Sequence, residues 1–137
     1  RHFDWKYHGK VSAQIYYDEP LSHRIYAASD AFLMPSLFEP CGLSQMVALR
    51  YGSIPVVRET GGLKDSITDS GDGKGNGFTF QTYDTQDMLN SVHRAIYAYN
   101  ESKDGWKVLV ERAMACDNSW GRSANDYIRL YKQLINS

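Results

Sequence analysis

Short unbroken runs of hydrophobic residues alternate along the chain with segments that have helical spacing. The runs AFLM at 31–34 and IPVV at 54–57 lack polar alternation, which predicts strands buried on both faces of a parallel sheet. Proline is tolerated at the start of a strand, so Pro55 indicates that the second strand begins there. Weak alternation over VSAQIY at 11–16 and the run GFTF at 77–80 predict two more strands.

Helical spacing of apolar residues predicts five helices, at 20–29, 44–51, 85–99, 104–116 and 120–135. Pro20 suits a first turn, Gly52 suits a C-terminal stop, and Asp84 or Thr85 suits an N-cap. The last helix carries an apolar stripe, for which packing in a core is the ordinary explanation. The stripe consists of Trp120, Ala124, Tyr127, Ile128, Tyr131, Leu134 and Ile135.

Strands and helices alternate over residues 11–99, which predicts an α/β fold with a Rossmann-like parallel sheet, flanking helices and a helical C-terminus. Four strands are fewer than the usual five or six, so we expect the second half of such a domain. The length of 137 residues, 42% of them hydrophobic, suits one domain with a real core. Because the chain begins at Arg1 rather than Met, we expect it to belong to a longer protein.

Charge and composition exclude several classes of function. The formal net charge of −1 gives no basic footprint for nucleic acid. No apolar run approaches the roughly 20 residues that span a bilayer, so we expect no membrane partner. Cys41 and Cys116 are too few for a disulfide framework, which favours a reducing, cytoplasmic location.

The segment PSLFEPCGLSQ at 35–45 carries the chemistry, because it sets Glu39 between Pro35 and Pro40 just before a helix. The first N–H groups of a helix lack internal partners, and glycine lets a phosphate approach them, as Gly42 would here. The alternative is a plain connection, in which Gly42 makes a turn and Ser44 caps the helix. Glu39 favours the ligand site, since a stiffly held carboxylate could support positive charge at an anomeric carbon.

Other motifs in the chain give weaker indications of a binding site. GDGKGNG at 71–77 matches neither a phosphate loop nor a calcium loop, which predicts a solvated turn. The four histidines show no metal-ligand spacing, and Cys41 has no evident histidine partner, so we predict neither a metal nor a cofactor. The four are His2, His8, His23 and His93.

The segment FEPCGLSQMVALRYGSIPVVRETGGLKDSI resembles the C-terminal signature of bacterial glycogen synthases and plant starch synthases. YYDEPLSHRIYAASDAFLMPS and AMACDNSWGRSANDYIRLY are also similar to that family, so the resemblance covers nearly the whole chain. These enzymes are retaining glucosyltransferases of the two-domain GT-B fold. The resemblance therefore implies the incomplete C-terminal half of a GT-B glycosyltransferase.

Matched to the family, the loop residues take roles around a nucleotide sugar. Glu39 corresponds to the carboxylate beside the donor glucose, and it is the implied catalytic residue. Cys41 and Gly42 lie along that sugar. Leu43 and Ser44 offer backbone amides to the diphosphate, and Gly42 lies with them.

The resemblance also assigns residues outside this loop. Tyr17 falls where an aromatic ring stacks on the adenine of ADP-glucose. Thr60, Gly61 and Gly62 form a second glycine loop that faces the same crevice. Related transferases often have a second glutamate eight positions after the first. Val47 stands there, which favours the glucan synthase branch over sucrose, trehalose or lipid-sugar transferases.

The implied reaction transfers glucose from ADP-glucose to the non-reducing end of an α-1,4-glucan. Residues 1–137 then form a single domain that holds part of the donor site, and the acceptor-binding N-terminal domain is absent. Arg1, Lys6 and Lys10 do not match the family's Arg and Lys pair at the diphosphate. We therefore expect weak nucleotide binding and no transfer by this chain alone.

Two other classes of function compete with this one. Ten tyrosines and three tryptophans fit a non-catalytic glucan-binding module, although Trp5, Tyr7, Tyr16 and Tyr97 show no platform spacing. A receiver-type signalling domain needs an acidic cluster at strand ends, but Asp30 precedes its strand. Retention on starch or glycogen, against preference for ADP, separates the module from the donor site.

Overall fold

A computed structural model describes residues 2–136. Its strands are β1 (Ala31–Met34), β2 (Ile54–Arg58) and β3 (Phe78–Phe80). Its helices are α1 (His2–Lys6), α2 (Glu19–Ala28), α3 (Ser44–Tyr51), α4 (Gly61–Ser66), α5 (Thr85–Glu101), α6 (Lys103–Met114) and α7 (Trp120–Ile135), with a 3-10 turn at Ser70–Asp72. Arg1, the residue on which the expectation of a longer protein was based, lies outside the described residues.

The strands form one parallel sheet in the order β1-β2-β3. Ala31 pairs with Ile54, and Val56 pairs with Phe78. The crossover from β1 to β2 contains α3, and the crossover from β2 to β3 contains α4, as parallel neighbours require. The predicted parallel α/β architecture is confirmed.

The core lies around β2, whose first four residues are buried as predicted for IPVV. Helices α3, α5 and α6 pack against this strand, and α6 also contacts α3 and α5. The core side chains are Leu49, Ile54, Val56, Val57, Leu63, Ile67, Phe78, Ala95, Trp106, Leu109 and Ala113.

The predicted helix boundaries follow local chemistry. Gly52 ends α3 in the left-handed conformation, with φ of 76°, and its N–H donates to carbonyls of the last turn. Asp84 caps α5, since its carboxylate accepts from the amides of Gln86 and Asp87. Both predictions are confirmed.

The segment predicted as a first strand is not one. Residues 11–16 are neither strand nor helix, and Val11, Ile15 and Tyr16 are exposed. Within residues 2–136 the sheet therefore has three strands rather than four, and β1 has a single neighbour. The prediction that β1 is buried on both faces is also wrong, since Leu33 is 46% exposed.

Helix α7 forms where predicted, but core packing of its apolar stripe is wrong for this chain. No residue of α7 is buried, and Tyr127 and Tyr131 are 60% and 58% exposed. The periodicity that produces an amphipathic helix fixes its apolar face without supplying a surface to cover that face. Among residues 2–136, no helix is long and apolar enough to cross a membrane.

Asp69 organises the turn before β3. Its carboxylate accepts two hydrogen bonds from Arg94, at 2.8 and 2.7 Å, and others from the amides of Gly71 and Thr79. Burial by itself raises the pKa of this carboxyl, but the bonds from Arg94, Thr79 and Gly71 outweigh burial and lower the pKa to about 2.

This shift predicts acid sensitivity. Because the folded pKa lies below the ordinary value of 3.8, ionised Asp69 favours the folded state. That contribution is complete above about pH 4 and is lost as the pH falls towards 2. Asp69→Asn should lower the free energy of unfolding by about 1–2 kcal/mol at pH 7 and flatten its decline between those values, measured by urea titration.

Asp126→Asn is the matched control, since Asp126 also pairs with an arginine, Arg129, but on the exposed surface of α7. Its effect at pH 7 should stay below about 0.5 kcal/mol. Equal effects of the two substitutions would show that the Asp69 network adds nothing beyond a surface ion pair.

Candidate functional site

The candidate site lies where β1 and β2 end, the edge at which parallel α/β sheets bind ligands. The loop after β1 carries Glu39 to α3, and the loop after β2 carries Gly61 and Gly62 into α4. Glu39 is partly buried, whereas Cys41 is exposed. Among residues 2–136, nothing hydrogen-bonds or ion-pairs with the Glu39 carboxylate, so it is available to a ligand.

The turn into α3 depends on Gly42, which has a φ of 66° and so occupies the region that favours glycine. The next residue, Leu43, is the N-cap and provides no side-chain hydrogen bond to the helix. Ser44 is already the first helical residue. In the alternative of a plain connection, the cap at Ser44 is therefore wrong, whereas the turn at Gly42 is present.

The missing cap leaves the start of α3 unsatisfied. Val47 donates its N–H to the carbonyl of Leu43 at 3.0 Å. The N–H groups of Ser44, Gln45 and Met46 find no acceptor within the part of the chain that the structure describes. These donors, with the positive end of the helix dipole, attract an anion.

The loop after β1, which contains Gly42, and the loop after β2, which contains Gly61 and Gly62, touch directly through their backbones. The N–H of Gly62 donates to the carbonyl of Glu39 at 3.0 Å. A Cβ on Gly61 would overlap that same carbonyl, and a Cβ on Gly62 would overlap the carbonyl of Cys41. The second loop thus lies beside the first, and its glycines permit backbone contact. Whether Thr60, Gly61 and Gly62 also touch a ligand stays a prediction.

Two polar residues that the sequence did not single out tie these loops together. Nε2 of buried Gln45 donates to Gly42 O at 2.8 Å and to Ser66 Oγ at 3.1 Å. Ser66 Oγ donates in turn to Gly62 O at 2.6 Å. The available signal was helical spacing, because Gln45 shares the buried face of α3 with Ala48 and Leu49.

Arg58, at the end of β2, is a third residue that sequence reasoning missed. Its guanidinium donates to Ser36 O at 3.0 Å, to Leu37 O, and to Gln81 O at 3.3 Å. It also lies over the ring of Tyr83, 5.8 Å from the ring centroid. Arg58 therefore fixes the beginning of the Glu39 loop, since its guanidinium donates to carbonyls of that loop and of the segment after β3.

Other residues considered for the site lie apart from this loop. Tyr17 is 87% exposed, and no hydrogen bond or ring contact within residues 2–136 joins it to the loop, so its adenine-stacking role stays a prediction. His23 lies 3.0 Å from the hydroxyl of Tyr51, between α2 and α3. Among the described side chains, no three of His, Cys, Asp or Glu converge as metal ligands.

The site is open. Leu43 is 70% exposed. A cavity of about 250 Å³ lies at the same sheet edge, lined by Pro35, Phe80, Tyr83 and Met88 among others, but it does not include Glu39 or Ser44. The described residues therefore do not enclose the loop between β1 and α3.

Comparison with known proteins identifies the class. Residues 9–105 match the family model described as glycosyl transferases group 1, and the chain belongs to that family. It is 55% identical over 136 residues to a glycogen synthase of Lachnospira eligens and 54% identical over 138 residues to one of Clostridium beijerinckii. The predicted family, glycogen and starch synthases, is confirmed. The chain spans 28–29% of the length of these relatives and they cover 97–98% of it.

Solved structures agree on the fold. The chain matches the catalytic domain of starch synthase IV from Arabidopsis thaliana, bound to ADP and acarbose, with a TM-score of 0.87 and 48% identity over 98% of the chain and 28% of that structure. Sucrose-phosphate synthase from Thermosynechococcus elongatus, at 23% identity and a TM-score of 0.66 over 98% of this chain and 33% of its own, shares the fold alone. The predicted fold class, part of a GT-B glycosyltransferase, is confirmed.

The backbone contact predicts that a side chain at Gly61 destabilises the fold. Gly61→Ala should lower the free energy of unfolding by about 2 kcal/mol more than Gly73→Ala, because its Cβ meets a backbone carbonyl. Gly73 is the matched control, since it also has a positive φ, 77°, but has nothing within 4 Å of an added Cβ. Denaturant titration measures both, and equal losses would show that the loops separate without cost.

Proposed function

We propose that this chain is the donor-binding part of a glycogen synthase, a retaining glucosyltransferase that moves glucose from ADP-glucose to the non-reducing end of an α-1,4-glucan. The observation that carries the proposal is the uncapped start of α3, where three amides lack acceptors within residues 2–136, at the end of the loop that carries the unpaired carboxylate of Glu39. The relative from Arabidopsis thaliana supports it, because that matching catalytic domain was solved with ADP and acarbose.

The diphosphate of the donor would rest on the amides of Leu43, Ser44 and its neighbours. Gly42 has no side chain to keep the phosphate at a distance. A helix N-terminus stabilises an anion by roughly 0.3–1 kcal/mol at exposed sites. Because Arg58 already donates to three carbonyls and no Arg and Lys pair matches the family's pattern, binding by this chain should be weak.

Glu39 would act on the sugar side of the site. Departure of the diphosphate builds positive charge on the anomeric carbon, and a carboxylate held nearby stabilises that charge. Cys41 and Gly42 would line the sugar, and Tyr17 would cover the adenine. The rigid loop matters here, since a carboxylate lowers the barrier only when it is already in place.

The acceptor would come from another part of a longer enzyme. Residues 1–137 form the C-terminal donor domain in this proposal, and an N-terminal domain binds the glucan. The exposed loop supports a site completed by closure of two domains, which would also exclude water from the reacting sugar. Two free cysteines in residues 2–136 fit a cytoplasmic enzyme.

An ADP titration followed by amide NMR shifts tests the proposal. We expect shifts concentrated on Leu43, Ser44, Gln45 and Met46, with a dissociation constant of about 1 mM. Adenosine, which lacks phosphates, should leave these amides unmoved. Shifts elsewhere only would contradict the donor site, and low-micromolar affinity would contradict the expectation of weak binding.

A glucan arm distinguishes the second class of function. The chain is passed over immobilised glycogen and starch with and without ADP. A donor domain should pass over the glucan without being retained. Retention on glucan without any response to ADP would favour a non-catalytic glucan-binding module.

The role of Glu39 is tested in a polypeptide that also contains the acceptor-binding domain. Glu39→Gln keeps the shape and removes the charge, so kcat should fall by about 10²–10³-fold while ADP affinity stays within a few-fold. Glu101→Gln, at the exposed end of α5, is the control and should leave turnover unchanged. Near-normal turnover of Glu39→Gln would remove this carboxylate from the mechanism.

A further inference from the structure

The side chain of Gln45 occupies an unusual place at the start of α3. It is the second residue of the helix and is fully buried, at 0% exposure. Its Nε2 donates to Gly42 O at 2.8 Å, to Cys41 O at 3.3 Å and to Ser66 Oγ at 3.1 Å. The two N–H groups of Nε2 are thus shared among the carbonyls of Cys41 and Gly42 and the hydroxyl on α4.

These bonds form part of a closed ring. From Gln45 the ring passes to Ser66, whose hydroxyl donates to Gly62 O at 2.6 Å. Gly62 N–H then donates to Glu39 O at 3.0 Å, and the backbone returns through Cys41 to Gln45. The carboxylate-bearing loop and the second glycine loop are therefore held by one network that includes no ligand.

The ring affects which backbone N–H groups at the start of α3 lack a hydrogen-bond acceptor. In an α-helix extended by one turn, the amides of Gln45 and Met46 would donate to the carbonyls of Cys41 and Gly42, four residues earlier. Here the side chain donates to those two carbonyls instead. Both main-chain amides remain without acceptors within residues 2–136, at the place where an anion would bind.

The amide of Gln45 is satisfied at its nitrogen but not at its oxygen. Gln45 Oε1 is buried and has no hydrogen-bond partner among the described residues, which destabilises a fold. That oxygen faces the backbone of Gly42, since a Cβ built there would lie 2.6 Å from it. An apolar side chain of the same length would avoid the unpartnered oxygen.

We propose that Gln45 is a positioning residue: its buried amide occupies the carbonyls of Cys41 and Gly42 so that the first amides of α3 stay free for a phosphate. The inference rests on the proposed function of the same loop and assigns it a residue that does not itself contact the ligand.

Gln45→Met tests the proposal, because Met keeps the length of the side chain and removes its donors. The main-chain amides of residues 45 and 46 should then donate to the freed carbonyls of Cys41 and Gly42. Hydrogen exchange at these two amides should slow by about tenfold. ADP affinity, followed by amide shifts, should fall by about tenfold, while the midpoint of thermal unfolding stays equal or rises. A merely structural role predicts the opposite, a lower midpoint with unchanged affinity.

Two further variants complete the design. Ser66→Ala breaks the ring at its next link and should move exchange and affinity in the same direction by a smaller factor. Ser91→Ala is the matched control: Ser91 is also buried and donates to a carbonyl, that of Thr79, away from the loop. It should lower the unfolding midpoint and leave the start of α3 unchanged.

The outcomes separate this inference from the proposed function. If Gln45→Met folds with unchanged exchange and unchanged ADP affinity, the inference is overturned. If that variant does not fold, exchange at Gln45 and Met46 in Ser66→Ala decides in its place, and unchanged exchange there overturns the inference. If the unmodified chain binds no ADP, the proposed function fails, while exchange in the variants still decides what Gln45 does to the helix.

Discussion

The contact of one main chain with another, where Gly61 and Gly62 meet the carbonyls of Glu39 and Cys41, is the constraint on which the site depends. No side chain fits between these loops, so their separation is fixed by backbone dimensions rather than by flexible groups. The main chain of Glu39 is held in place because its carbonyl accepts a hydrogen bond from Gly62. Its carboxylate is left free while its position is determined.

Hydrogen-bonding capacity in this region is distributed unevenly. The carbonyls before α3 receive donors from a buried side chain, and those beside Arg58 receive a guanidinium, so acceptors are well supplied. The donors at the start of the helix are not matched in the same way. An excess of N–H groups over acceptors is a local positive potential without any charged residue. The loop is thereby suited to an anionic ligand.

Sequence reasoning succeeded where local signals were sufficient and failed where distant contacts decide. Pro35 and Gly52 bound the correct strand and helix because each changes the backbone at its own position. The alternation at 11–16 lacked a neighbouring strand, which no local pattern reveals. The family motif located the loop, but the ring through Gln45 and Ser66 joins residues 21 positions apart and follows from the tertiary fold.

The half-exposed strand β1 has a consequence for how the chain behaves in solution. An edge strand offers a row of backbone donors and acceptors to other molecules and is a template for unwanted pairing. Here that edge is only four residues long and is bounded by Asp30 and Pro35. A charge at one end and a residue without an N–H at the other are features that disfavour pairing along an edge strand. Within residues 2–136, the unpaired edge at β1 therefore offers only a short backbone segment to another strand.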